Sequence, residues 1–552
     1  MKTRFLALCL GAALIFPGCI KVDNSLGKGL VDKSLLFDTY TAEFPLEEIQ
    51  LKASSALSGY SDNRLTIGAI RDSYFGLTTR EAAFSLIPVL DTLDLGTNPE
   101  AVSLTINFAA DTVSCADDSQ ARILQNIYVT ELSKTLPKST EDTHNTQDIP
   151  HGTDLITQGI PVYNGEGDLR FDFTKAFAQK YVNMLKSLGP VLKDRSSDDG
   201  VDRYDQIIAA MPGIHIRTDE PAGKGGRINM FEFSCLSVSN NYYTRNNNIA
   251  VLKVHSTWKG VAQDSTFLLI PGEPELYDEA SLISDNTKFY QYCFNRTVQS
   301  TQPGPAKEKV LVEGGGGLKP VILASELQRK ALQAITEKGG TAQKAIILKA
   351  TIVLPFEMPD NYQDLKYYPS VLSPTIETTY TADDGSVHPT YAGLTDASVS
   401  SEDQGNIDRS NLVYKPDITY HLQELLTRTD LDTASDADIW LLTIRTVKEA
   451  NASGSLYDNE YYQNLLYASY YNSLYGGGYG GYGYGYGSYG YGSSYSNYYN
   501  YMMLAQMMAS STQQTYSYST ELDKDSYYRA ILSGYQDARP PLFRVTFCIP
   551  QD

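Results

Sequence analysis

At 552 residues the chain has room for roughly two to four domains of ordinary size, and its 65 acidic against 45 basic residues set a net charge of −20. A surface that acidic repels phosphate backbones, which excludes nucleic acid from the expected partners. Beyond the first twenty residues no segment reaches the roughly 18 uninterrupted apolar residues of a membrane helix.

The chain opens on what reads as an export signal over residues 1–18. Lys2 and Arg4 give a positive start, Phe5 to Phe16 is an apolar run broken only by Gly11, and small Gly18 precedes Cys19. Ile15-Phe16-Pro17-Gly18-Cys19 resembles a bacterial lipobox, in which a peptidase cuts before the cysteine and diacylglycerol is attached to its thiol. The expectation is a chain held on a membrane through lipid at Cys19, with the polar residues that follow (19–35) as a tether. Removing residues 1–18 takes away two bases and no acid, so 43 basic residues face 65 acidic ones and the net charge becomes −22.

Alternating apolar and polar positions then dominate, the mark of half-buried strands. They run over Val102-Leu104-Ile106-Phe108, Ile127 to Leu132, Ile228 to Val238, Ile249 to Trp258, Phe267 to Ile270 and Ala345 to Leu354, and Phe543-Val545-Phe547-Ile549 closes the chain. Helical spacing is confined to four places: Thr174 to Leu188 stopped by Gly189-Pro190, Tyr204 to Ala210, Ser325 to Lys338 with Ser325 as N-cap, and Thr419 to Thr427. Strands in runs with helices inserted predict a mainly β fold, an antiparallel sandwich-like body. Residues 296–319, which include Gly314-Gly315-Gly316-Gly317, read as a hinge between an N-terminal β-rich domain (36–300) and a C-terminal one (320–552). A Tyr/Gly-rich tract at about 457–518 has no period able to build a core, and it is expected to be a disordered loop inserted in the second domain.

Motifs for chemistry are few. Gly476-Gly477-Gly478-Tyr479-Gly480-Gly481 matches a dinucleotide loop only because it lies inside a glycine tract, and Gly314 to Gly317 lacks the Gly-Lys-Ser/Thr close of a phosphate loop. None of the six histidines (His144, His151, His215, His255, His388, His421) pairs with another at the i, i+4 spacing of a metal site. His421 with Glu424 reads as a solvated contact, and Asp198-Asp199-Gly200 and Asp436-Ala437-Asp438 as solvated turns rather than calcium loops. The expectation is therefore no catalytic residue, no metal and no cofactor. Cys115, Cys235, Cys293 and Cys548 allow two disulfides in three pairings or four buried thiols. Asp91-Thr92-Leu93, Asp111-Thr112-Val113, Asp264-Ser265-Thr266 and Asp432-Thr433-Ala434 resemble the O-glycan acceptor of exported Bacteroidota proteins, which makes Thr92, Thr112, Ser265 and Thr433 candidate modification sites.

Several segments together resemble a Bacteroidota lipoprotein family, domain of unknown function 4270. They are the lipobox, the stretch Gly68-Ala69-Ile70-Arg71-Asp72-Ser73-Tyr74-Phe75-Gly76-Leu77-Thr78-Thr79-Arg80-Glu81-Ala82, the helix after Phe173, the strand Met211-Pro212-Gly213-Ile214-His215-Ile216 and the closing Pro540 to Phe547. His215 stands where the family usually has Tyr. The resemblance implies an outer-membrane lipoprotein facing the cell exterior and carries no active site to transfer. Two functions follow as expectations. One is a non-catalytic interaction subunit of an outer-membrane assembly or export complex, with a β-barrel protein as partner. The other is a glycan-binding surface lipoprotein, for which the 41 tyrosines speak.

Overall fold

The computed structural model describes residues 37–550, apart from 55–56, 62–63, 89, 91, 112–114, 117, 138–142, 193, 195–199, 233–235, 240–241, 246–247, 273–292, 300–301, 382–384, 397–404, 451–515 and 524–525. The fold is mainly β, with antiparallel ladders and a few helices, as the alternation predicts. Thr97–Phe108 shows how pattern becomes packing. Leu104, Ile106 and Phe108 point into the core. Val102, expected on the same face, is turned outward by a β-bulge: Lys253 stands opposite Ser103, yet the next residue, Val254, stands opposite Ala101. The extra residue flips the side-chain order, so Ala101 is buried instead.

The N-terminal region is organised around the strand Gly76–Pro88. Its first half pairs with Arg64–Asp72 on one edge and Cys293–Gln299 on the other; its second half pairs with Ile214–Thr218 and Val261–Gly272. The handover near Ala82–Ser85 lets one strand serve two parts of the sheet, which wrap a single core. Phe108 sits inside it with Phe84 and Phe171 edge-on, their ring centres 5.8 and 6.0 Å away. Each such pair adds about 0.5–1.5 kcal/mol to the burial of its rings. The helix Lys175–Leu188 closes this core with Phe177, Tyr181, Val182 and Leu185. Thr174 caps it by accepting the Phe177 N–H at 3.2 Å, and Gly189 ends it, as the sequence predicts.

In the C-terminal region, Leu542–Pro550 lies between Phe37–Pro45 and Ile346–Pro355. The register with Phe37–Pro45 is unbroken over nine residues, from Phe37 opposite Pro550 to Pro45 opposite Leu542. The helix Ala324–Glu337 packs Leu327, Ala331, Ala334 and Ile335 into this core. Its start differs from expectation. Ser325 does not cap it; the Ala324 N–H is accepted at 3.0 Å by Asp438, which immediately precedes the strand Ile439–Ala450. Residues 37–52, placed in the first domain by the sequence reading, contribute Leu46, Ile49 and Leu51 to the C-terminal core.

Among the described residues, those up to Thr443 and from Asp523 onward form one compact unit, and those from Ile444 to Leu522 another. Of the second unit the structure describes one antiparallel ladder, from Ile444 opposite Leu522 to Ala450 opposite Tyr516. The Tyr/Gly tract lies outside the described residues except for its end, Tyr516 to Tyr518, which forms strand there. No helix among the described residues is long and apolar enough to cross a membrane.

Candidate functional site

The Gly314–Gly317 run, read from composition as part of a hinge, is buried. It joins Lys309–Glu313 to Lys319–Ile322, and the N-terminal sheet presses against it. Arg80, from the central strand, is fully buried and donates to the Gly314 carbonyl at 3.1 Å. Gly315 has φ 65°, and a Cβ there would stand 1.7 Å from an Arg80 nitrogen. Gly315 is required for close approach to a buried guanidinium, and Gly316 and Gly317 for close approach to Thr297 and Gln299.

Glu313 completes this seam. One carboxylate oxygen accepts from Thr78 at 2.9 Å, on the N-terminal sheet, and from Tyr527 at 2.7 Å, on the C-terminal side. Arg80 lies over the Tyr527 ring, 5.5 Å from its centre. Lys319, also buried, donates to the Glu313 backbone carbonyl. Burial pushes the Glu313 carboxyl up, against the pull of its two hydroxyl donors, Lys319 and Arg80. The same burial pushes Lys319 down, against the attraction of Glu313. An apolar patch of Ile70, Ile228, Met230 and Tyr527 continues the junction.

Above that patch the two regions enclose a cavity of about 540 Å³, within the range of small-molecule sites. Its N-terminal wall is the turn after Arg64–Asp72. Asp72 stands opposite Gly76 across three loop residues, and Gly76 takes the left-handed φ of 68° that such a hairpin needs. Asp72 Oδ1 accepts the N–H groups of Tyr74 at 2.7 Å and Phe75 at 2.6 Å, which fixes the loop as an Asx turn. Its other oxygen pairs with Arg529 from the C-terminal side, whose guanidinium also covers Phe75 at 5.4 Å. Burial pushes Arg529 down to about 10, so it remains a cation at neutral pH, and its Nε has no hydrogen-bond partner among the described residues. Phe75 is buried, while Tyr74 is left 54 % exposed at the mouth. The opposite wall carries Lys309, Glu357, Met358, Tyr367 and Tyr368. Lys309 is held by Asp537 at 2.8 Å.

A third cluster lies on the same central strand. His215 Nε2 faces Glu81 at 3.3 Å, the His151 ring stacks on the His215 ring with centres 3.9 Å apart, and Arg296 donates to Glu81 at 3.1 Å and pairs with Asp148. Burial alone would raise the Glu81 carboxyl. The hydrogen bond and charge of His215, then Arg296, outweigh it and hold the group at about 2. His215 itself is pushed down by burial. Histidine spacing in sequence gave no sign of this pair, because His151 and His215 meet only through strands that flank Gln125–Leu132. The described residues bring no three metal-ligating side chains into one group.

The residues singled out by motif are scattered. Thr92 and Thr433 are exposed, Ser265 is half-buried in mid-strand opposite Val254, and Thr112 and Cys19 lie outside the described residues. His255 is exposed as its alternation predicts, facing Asp264 at 2.6 Å. His421 is buried rather than solvated, 3.0 Å from the Ala437 carbonyl. Of the acidic clusters, Asp198-Asp199 lies outside the described residues; Asp436 is exposed and pairs with Arg428, whereas Asp438, expected in a solvated turn, is buried between Lys52 and the Ala324 amide. Cys548 is a buried free thiol and Cys293 is buried; the side chains of Cys115 and Cys235 are outside the described residues. The sequence did hold one signal of the cavity. Asp72, Phe75 and Gly76, quoted for the family resemblance, are the residues that build its turn. No family model, no curated relative and no solved structure matches this chain.

Proposed function

We propose that this chain is a non-catalytic lipoprotein held at the outer membrane through Cys19, facing the cell exterior, and serving there as an interaction subunit of an assembly built on a β-barrel protein. The observation that carries the non-catalytic part is where the shifted groups sit. Glu313, Lys319, Glu81 and His215 are each engaged by partners from other strands, as structural ion networks are, and do not line the open cavity. The shifted groups that do line it are also held, Arg529 by Asp72, Lys309 by Asp537 and Tyr368 by the Ile531 carbonyl. The anchored part is supported by the lipobox and by the position of the first described strand. Phe37 lies eighteen residues past Cys19, which bounds the reach between lipid and body at about 60 Å.

The test is extraction of native membranes in mild detergent. The expected result is a complex that contains a β-barrel protein, lost from the membrane fraction when Cys19→Ala is expressed instead. Recovery of the wild-type chain only as a lone species would end the assembly reading. A Cys19→Ala chain still in the membrane after a carbonate wash would end the anchor reading.

A further inference from the structure

The cavity at the seam differs from the rest of the surface in charge. The chain as a whole carries 65 acids against 45 bases. The cavity lining holds four cations, Arg71, Lys224, Lys309 and Arg529. It holds four acids, Asp72, Glu357, Asp360 and Asp364. A site balanced in this way, on an acidic protein, neither concentrates cationic ligands nor repels uncharged ones. Its polar groups of both kinds stand beside aromatic ones, and that mixture serves a ligand rich in hydroxyl groups with apolar ring faces.

The exposed aromatic is presented by a fixed support. Tyr74 is held on a three-residue turn whose amides bond Asp72, and Asp72 is clamped from the far side by Arg529. The neighbour Phe75 is buried under the same guanidinium. An exposed ring on a preorganised turn loses little conformational entropy on binding, which is what a stacking platform needs. The volume of about 540 Å³ admits an oligosaccharide of a few units and excludes a folded domain.

We propose that this cavity is a binding site for a short neutral oligosaccharide, with Tyr74 as the ring on which a sugar face stacks. The opposite wall, through Glu357, Asp360 and Lys309, supplies acceptors and donors for sugar hydroxyls. The proposal does not rest on the assembly reading, and either can fail without the other.

The experiment uses the full lipidated chain in detergent, screened against an array of neutral tri- to pentasaccharides (gluco-, manno-, xylo- and galacto-linked) with acidic oligosaccharides and short peptides as further arms. Hits are then titrated by calorimetry. The expected result is binding of at least one neutral oligosaccharide, weakened tenfold or more by Tyr74→Ala and unchanged by Tyr362→Ala, an exposed tyrosine that does not line the cavity. Unaltered thermal unfolding of Tyr74→Ala shows that the turn still folds; if it shifts, Tyr74→Leu, which keeps bulk without the aromatic face, replaces it. No neutral oligosaccharide bound, binding indifferent to the Tyr74 variants, or binding confined to the acidic or peptide arms would overturn the proposal.

Discussion

Two glutamates close to one strand, one half-buried and one buried, behave in opposite ways. Glu81 and Glu313 both sit against Gly76–Pro88, Glu81 within it and Glu313 through Thr78. Glu81 has His215 and the Arg296 guanidinium on its carboxylate, and it is held ionised down to about pH 2. Glu313 has only hydroxyl donors on its carboxylate, from Thr78 and Tyr527, and its burial is complete, so its carboxyl is pushed up. Burial raises both; what differs is whether a guanidinium bonds the carboxylate oxygens directly. The first is a surface-side clamp within one sheet. The second is a sealed joint between the two cores.

The largest effect should come from breaking the sealed joint. Gly315→Ala adds a Cβ 1.7 Å from Arg80 at a left-handed position. It should cost about 3 kcal/mol or more from backbone strain and overpacking together. Urea unfolding measures it, and a loss under about 1 kcal/mol would mean that the run can move aside.

Next comes acid. A carboxyl lowered from 4.5 to about 2 stabilises the folded state above its unfolded pKa, and that stability is lost as pH falls from about 4.5 to 2. The shift corresponds to about 3 kcal/mol. Melting curves between pH 5 and 2 should show Glu81→Gln losing much less stability than the wild type over this window. Parallel curves would show that Glu81 is not so held.

Glu313 should give an effect of opposite sign. Its carboxyl is raised, so the folded state binds the proton more tightly than the unfolded chain, and this contribution declines as pH rises above 4.5. Glu313→Gln keeps an acceptor for Thr78 and Tyr527 and removes the titration. The difference between wild-type and variant melting temperatures should therefore fall from pH 4 to 7. A difference that rises would mean that the pull of Lys319 and Arg80 outweighs burial. The smallest effect should be that of His255→Ala. It removes an exposed side-chain contact with Asp264, worth under about 1 kcal/mol, and its melting point should match the wild type within a degree or two.

The sequence made visible those elements that have one wet face. Thr97–Phe108, Ala250–Trp258 and Leu542–Pro550 alternate because one side of each meets water, and Lys175–Leu188 carries its own cap and stop. Gly76–Pro88 escaped the pattern because its second half is buried on both faces, so Ala82-Ala83-Phe84-Ser85-Leu86-Ile87 shows no period. Lys319–Ile322, buried at all four positions and led by a lysine, escaped for the same reason. Gly314 to Gly317 was misread because composition cannot distinguish glycine chosen for freedom from glycine chosen for lack of bulk. The cavity was legible only as the Asp-x-x-Phe-Gly turn, since Arg529 reaches Asp72 across 457 residues of chain.

The central claim is that this seam joins the N-terminal and C-terminal cores into one cooperative body, so that a cavity lined by both is formed in advance of any ligand. The chain has two tryptophans, Trp258 in the N-terminal sheet and Trp440 in a C-terminal strand. In Trp440→Phe only the first core reports by fluorescence, and in Trp258→Phe only the second. For each variant, urea unfolding followed by tryptophan emission should coincide with its own far-ultraviolet circular dichroism, as one transition. A tryptophan transition that separates from the backbone transition in either variant would contradict the account, and would show two cores that unfold independently across a working hinge.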